Sequence, residues 1–308
     1  METLYITHPD CLLHEMQSWH PESPQRLEAI NDRLLSSGLH DFLHHAEAPN
    51  ATEEDLLSCH DADYIASIRD NIPTQGYYLI DSEETSLNPH TWQAALRAAG
   101  AGLLAVDEIM AHHYKNAFCA VRPPGHHAEP HKATGFCFFN NMAIAARYAI
   151  QQYDLKRIAL IDFDVHHGNG TERIFAKDPA IQMYSFFQSP LFPHSGEVSL
   201  GKNMHNTAVP AYTRMSRIKE IVEQDWIPGI RQFAPQMIMI SAGFDAHRED
   251  DMGQLDLLEG DFVWITEQIM QLAETYCDGR IISFLEGGYN LSALARSTVE
   301  HIRTLAAL

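Results

Sequence analysis

Arg157-Ile-Ala-Leu-Ile-Asp162-Phe-Asp164-Val-His166-His167-Gly-Asn169-Gly170 is the stretch on which the reading of this chain turns. It opens as a short, mostly apolar run over residues 157–163, rich in β-branched and aromatic residues, the pattern of a strand buried on both faces of a parallel sheet. It then breaks into carboxylates, imidazoles and glycines. On an extended chain, residues two apart point to the same side. Asp162, Asp164 and His166 are therefore expected to face one way as the strand leaves the sheet. Carboxylate and imidazole both ligate Zn²⁺, and a catalytic zinc site commonly has three protein ligands plus a water. Asp164 and His166 supply two of the three.

Similar apolar runs occupy residues 4–7, 117–121, 181–187, 237–241 and 281–285 and read as further strands. Amphipathic stretches at 23–36, 89–111, 141–153, 216–232, 259–275 and 291–307 read as helices. The alternation predicts one α/β domain over residues 1–308, with a mostly parallel central sheet and helices on both faces. Four runs end in chemistry. Besides 157–163, residues 117–121 lead into Arg122-Pro-Pro-Gly-His126-His127, residues 237–241 into Ala-Gly-Phe-Asp245-Ala-His247, and residues 281–285 into Glu286-Gly-Gly-Tyr289. Ligands of open α/β sheets bind beyond the carboxyl ends of the strands. Asp245 is accordingly the expected third ligand, since a buried strand-end carboxylate costs several kcal/mol unless paired or metal-bound. The two glycines before Tyr289 allow close backbone approach, and its phenol could donate to an oxyanion.

Composition narrows the partners. The formal net charge of −20 argues against a nucleic-acid phosphate surface and is compatible with cationic substrates. No apolar run reaches the ~20 residues of a membrane span, and Met1–Asp10 has neither the basic nor the apolar region of a signal peptide. Cys11, Cys59, Cys119, Cys137 and Cys277 are odd in number and lack CxxC spacing, which points to reduced thiols and a cytoplasmic location. Nothing in the sequence fixes an oligomeric state.

Taken in order, the motifs resemble the histone deacetylase and acetylpolyamine amidohydrolase superfamily, whose fold is shared with arginase. The resemblance runs from His20-Pro-Glu-Ser-Pro-Gln-Arg26 through Arg122–His127, Gly135-Phe-Cys-Phe-Phe-Asn-Asn141, Asp162–Thr171 and Ser241–His247 to Glu286–Tyr289. Asn169 in His-Gly-Asn-Gly looks most like the class II branch, which includes bacterial histone deacetylase-like amidohydrolases. The resemblance implies one zinc ion on Asp164, His166 and Asp245, with water near His126 and His127. It implies pairing of His126 with Asp162 and of His127 with Asn169. A carboxylate partner favours imidazolium more than an amide does, so His127 is expected to be the base and acid and His126 the cationic neighbour. Phe136 and Phe192 match the aromatic pair of an acyl-chain tunnel, with Gly135 beside them leaving room for substrate. A structural potassium ion is implied on Asp162, Asp164 and His166 with Ser185 and Phe186.

Two other classes fit less well. A dinuclear manganese hydrolase of the arginase kind needs more bridging carboxylates, and this chain has His247 near Asp245 where such enzymes carry a second Asp. A catalytically inert binding module is expected to have lost a ligand or the tyrosine, yet all are present. Met252 falls at the family's tunnel-mouth position, where acetylpolyamine enzymes often have Glu, and residues 71–88 are too short for the dimer-forming insertion of those enzymes. Both features favour an acyl-lysine peptide or protein over an acetylated polyamine as substrate. Glu83 and Glu84 are expected at the rim, able to meet a cation or a substrate amide.

Overall fold

A computed structural model of the chain describes residues 3–81 and 84–308. In chain order its strands are β1 (Thr3–Thr7), β2 (Leu43–Glu47), β3 (Tyr78–Leu79), β4 (Ser86–Leu87), β5 (Asn116–Cys119), β6 (Ile158–Asp162), β7 (Ile181–Gln188), β8 (Met204–Val209), β9 (Met237–Ala242) and β10 (Ile281–Leu285). The α-helices are α1 (Gln25–Ser36), α2 (Glu53–Leu57), α3 (Ala62–Asp70), α4 (Thr91–Met110), α5 (Asn141–Tyr153), α6 (Asn169–Phe175), α7 (Met215–Ile221), α8 (Ile227–Phe233), α9 (Glu259–Tyr276) and α10 (Leu291–Leu305).

Eight strands form one sheet in the order β2-β1-β5-β10-β9-β6-β7-β8, and every pairing in it is parallel. Parallel strands covered by crossover helices bury both faces, which is why β5, β6, β9 and β10 are buried at every residue and read as apolar runs. Helices α1, α9 and α10 pack together, as do α4 and α5, giving the helical layers expected for the α/β domain. Asn140 and Asn290 start α5 and α10 by accepting from the amides of Ala143 and Ala293 through their side chains.

The four chemistry-bearing loops follow β5, β10, β9 and β6, which are neighbours at the centre of the sheet. Their carboxyl ends therefore meet over one small area. This adjacency positions the site.

Three expectations need adjustment. First, β6 stops at Asp162, so Asp164 and His166 lie on a bend rather than on an extended continuation. The bend is built by the acidic side chains themselves: Asp162 Oδ1 accepts from the Asp164 amide at 3.1 Å, and Asp164 Oδ1 from the His166 amide at 2.9 Å. Second, the helix expected at 216–232 is α7 and α8 joined by a π-turn over Val222–Trp226. Pro228 has no amide to donate to a residue four back, and the wider turn falls just ahead of it. Third, β2, β8 and the short antiparallel β3–β4 hairpin went unread. The first two are sheet edges whose mixed polar sequences, Leu-His-His-Ala-Glu and Met-His-Asn-Thr-Ala-Val, carry no apolar run.

Candidate active site

The donor atoms of Asp164, His166 and Asp245 lie within 4.8 Å of one another, and no other trio of His, Cys, Asp or Glu gathers so among the described residues. His166 Nδ1 is 3.0 Å from Asp164 Oδ1 and 3.1 Å from Asp245 Oδ2. The remaining carboxylate oxygens are fixed by backbone amides, Asp164 Oδ2 by Gly287 at 2.8 Å and Asp245 Oδ1 by Val165 at 3.0 Å. Both aspartates are fully buried. Burial pushes the Asp245 carboxyl up to about 7, helped by the charge of Asp164. Burial also opposes ionisation of Asp164, but His126 and His166 hold it below the usual carboxylate range. Two carboxylates and an imidazole crowded together out of water form an oxygen- and nitrogen-donor set that suits a divalent cation.

The glycines around this trio are there because nothing larger fits. A Cβ on Gly243 would sit 2.0 Å from Asp164 Oδ2, and one on Gly287 would sit 2.0 Å from Asp245 Oδ2. The Ala-Gly-Phe-Asp and Glu-Gly-Gly-Tyr signals are thus marks of backbone closing over carboxylates.

The histidine pair lies alongside. His126 Nδ1 is 3.0 Å from Asp162 Oδ2, and His127 Nδ1 is 2.7 Å from Asn169 Oδ1, the two pairings that the family resemblance implies. Burial disfavours imidazolium at both, but Asp164 and Asp162 raise His126 well above its ordinary value. Among the described residues no carboxylate pairs with His127; burial, then the charges of His126 and His166, push it well below. Glu286 supports the pair from beneath, its carboxylate accepting from the amides of Gly125 (2.7 Å) and His126 (3.1 Å) and from the Ser241 hydroxyl (3.0 Å).

A slot of about 210 Å³ opens onto these groups, lined by Glu84, His127, Gly135, Phe136, His166, Phe192, Met252 and Tyr289. Gly135, Phe136, Phe192, Met252 and Glu84, each expected at the substrate, are on its wall. The Phe192 ring stands edge-on to His127 at 5.0 Å, and the Phe136 ring edge-on to Tyr289 at 6.0 Å. Phe136 (φ +69°) and Glu84 (φ +107°) hold backbone angles that L residues rarely adopt, a form of strain that concentrates at functional sites. Gly135 lies on the slot wall and has a second part there. Its missing Cβ makes space for the His127 ring, which a methyl would approach to 2.3 Å. Glu83 lies outside the described residues. Of the residues implied for potassium, Asp162 and Ser185 face each other across β6 and β7, and the Ser185 hydroxyl donates to Asn206 Oδ1 at 3.2 Å.

Sequence reasoning quoted but did not interpret Glu22, Arg26 and Arg122. They form a fully buried ion network behind the tyrosine. Glu22 pairs with both arginines, and Arg26 donates to the Gly288 carbonyl at 2.6 Å and to that of Glu286. The Arg26 guanidinium also stands 5.0 Å from the centre of the Tyr289 ring. Charged residues spaced along a motif with no metal-ligand pattern were the only available signal. His167 was likewise unread: it contacts Ser195 Oγ at 3.0 Å and Glu172 at 3.0 Å, tethering the irregular segment that carries Phe192.

Known proteins share this fold. The crystal structure of the HDA15 HD domain matches with a TM-score of 0.91 at 30% identity, over 99% of this chain and 88% of that one. The histone deacetylase domain matches residues 20–305. Histone deacetylase 14, chloroplastic, of Arabidopsis thaliana is 36% identical, over 95% of this chain and 74% of its own. Polyamine deacetylase HDAC10 of Homo sapiens is 32% identical, over 99% of this chain and 48% of its own. Fold and site define a hydrolase of the deacetylase and amidohydrolase class. The chain belongs to the histone deacetylase family.

Proposed function

We propose that the chain is a zinc-dependent amidohydrolase that removes acetyl or related acyl groups from the ε-amino group of lysine, acting as one catalytic domain over residues 1–308. The observation that carries this reading is the aromatic-lined slot of about 210 Å³ that reaches His127, His166 and Tyr289, a shape and chemistry suited to an extended alkyl amide. Asp164, His166 and Asp245 are the residues that would hold the zinc. Once bound there, the ion supplies Lewis acidity, polarising an amide carbonyl and making water more acidic.

The remaining work falls to side chains. His127, kept neutral by burial and by the charges beside it, accepts a proton from water and returns one to the leaving amine. His126, held cationic by Asp164 and Asp162, stabilises developing negative charge. Asn169 and Asp162 orient the two rings. Tyr289 keeps its phenolic proton, its pKa raised well above the ordinary value by burial and by Asp245 and Asp164 against the opposing pull of Arg26. It therefore donates to the oxyanion that forms when water adds to the amide. Phe136 and Phe192 exclude water from the lysine stem.

Asp162, Asp164, His166, Ser185 and Phe186 are the residues that would hold a potassium ion, which would help to secure the bend after β6. A cytoplasmic location accords with five free, buried cysteines, and no described helix is long and apolar enough to cross a membrane. The formal charge of −20 disfavours nucleic acid as a partner. An acetylated polyamine is the second reading, supported by the Glu84 carboxylate on the slot wall. Side-by-side turnover of acetyl-lysine peptides, N-acetylputrescine and N8-acetylspermidine by zinc-loaded enzyme decides between the two. Elemental analysis of Asp164→Ala, His166→Ala and Asp245→Ala should show zinc depleted, and full occupancy in any one removes that residue from the ligand set.

A further inference from the structure

We infer that Asp250 is a positioning residue for Tyr289. Its single carboxylate ties the segment bearing Met252 to the segment bearing the tyrosine, and so fixes where the phenol points.

Asp250 is buried, at 4% exposure, in a loop between β9 and α9. Its Oδ2 accepts from the amides of Tyr289 at 2.6 Å and Asn290 at 2.8 Å, and its Oδ1 from the amide of Met252 at 3.0 Å. No ion pair with Asp250 occurs among the described residues, so three backbone amides, with the more distant charge of Arg26, are what offset the burial of this carboxylate. Charge-assisted bonds of this kind are among the stronger ones in a protein. Both anchored segments wall the slot, through Met252 and Tyr289.

The need for such an anchor follows from the glycines. Gly287 must lack a side chain because the backbone closes over Asp245 and Asp164, and Gly288 takes φ +120°. Two successive glycines leave the following tyrosine on the most flexible backbone available. The segment is restrained from opposite chemical sides. Arg26 grips the carbonyls of Gly288 and Glu286, while Asp250 grips the amides of Tyr289 and Asn290. Asn290 then opens α10, so the restraint passes directly from Asp250 to a long helix. A second bond, from Asn290 Nδ2 to the Glu249 carbonyl at 2.9 Å, runs between the same two segments. Misplacing a catalytic group by about 1 Å can cost a hundredfold in rate. Without Asp250 the phenol would sample such displacements while the metal ligands stayed in place.

This inference rests on the deacetylase reading, and its test separates the two. In zinc-loaded full-length enzyme with an acetyl-lysine peptide, Asp250→Ala should lower kcat about 10- to 100-fold with KM nearly unchanged and zinc content intact. Asp250→Asn keeps one acceptor oxygen and should lose roughly three- to tenfold. In a Tyr289→Phe background either substitution should cost less than about threefold more, because the group being positioned is already gone. Equal losses in both backgrounds, or wild-type kcat in Asp250→Ala, overturn the proposal. Amide hydrogen exchange gives a readout that needs no turnover. The amides of Tyr289 and Asn290 should exchange at least about tenfold faster in Asp250→Ala than in wild type, with β9 and β10 unaffected. Unchanged exchange there also overturns it. If Asp250→Ala does not fold, Asp250→Asn carries both measurements. If wild-type enzyme turns over neither acyl-lysine nor acetylpolyamine, the deacetylase reading fails, and exchange at Tyr289 and Asn290 alone decides whether Asp250 holds that segment.

Discussion

Replacing Gly287 by Ala tests how the ligand cluster is built, because the added methyl is aimed at it. The Cβ would sit 2.0 Å from Asp245 Oδ2 and 2.6 Å from Asp164 Oδ2. Ordinary van der Waals contact begins at 3.4 Å, so Asp245 Oδ2 must retreat by about 1.4 Å, the difference between 3.4 and 2.0 Å. The other Asp245 oxygen is held by the Val165 amide, and Asp164 Oδ2 accepts from Gly287 itself, so neither carboxylate can swing aside cheaply. Metal–ligand distances tolerate only about 0.2 Å. Gly287, unlike Gly288, does not take a positive φ, so alanine should not be excluded by its backbone angles. The expected result is a folded protein destabilised by about 1–3 kcal/mol through overpacking. Its zinc affinity should fall about 10- to 100-fold, read by calorimetric titration of chelator-treated enzyme. Gly260→Ala, in helix α9 with nothing within 4 Å of the added atom, is the control and should leave affinity unchanged. If Gly287→Ala binds zinc within about threefold of wild type, the carboxylates beneath it are not the ligands, and the argument from close backbone approach is wrong.

Further expectations follow from the same geometry. His127→Ala should depress kcat more than His126→Ala, since only the former removes the proton shuttle; the reverse order would overturn the assignment drawn from Asp162 and Asn169. Met252→Glu should shift kcat/KM from acetyl-lysine peptides toward acetylpolyamines by about ten- to a hundredfold, the worth of a close charge pair in a partly desolvated slot. A wild-type preference for acetylpolyamines of tenfold or more would mean that Met252 is not the selector and would favour the acidic rim at Glu83 and Glu84 instead. His301, wedged between Thr266 and Ser283, has its pKa pushed by burial from 6.5 down to about 3. The unfolded chain takes up a proton below about pH 6.5 that the folded one refuses, so this contribution to stability is lost as pH falls from there toward 3. At pH 5 the loss is on the order of 2 kcal/mol. The drop in urea stability between pH 7 and pH 5 should therefore be smaller by that amount in His301→Asn; an identical drop would mean that His301 titrates normally.

Parallel strands buried on both faces must be apolar throughout, so β1, β5, β6, β7, β9 and β10 and the order of their loops could be read from the sequence. Each loop also begins where its apolar run ends, which is why Asp164, His166, Asp245, the His126–His127 pair and Tyr289 could be named as candidates without coordinates. The local sequence could not show that β5, β10, β9 and β6 lie side by side; strand order is a property of the whole sheet. Edge strands β2 and β8 escaped because an edge does not demand a continuous apolar run. The bend after Asp162 escaped because carboxylates gripping nearby amides can end a strand that periodicity would continue. Gly135, Gly243 and Gly287 were visible as glycines, but only the packed structure says what each makes room for, a histidine ring in one case and carboxylates in the others. The same holds for Arg26 and Asp250. A charged side chain far along the chain carries no local signal of its partner, and its role appears only when folding brings the glycine-rich segment before Tyr289 between them.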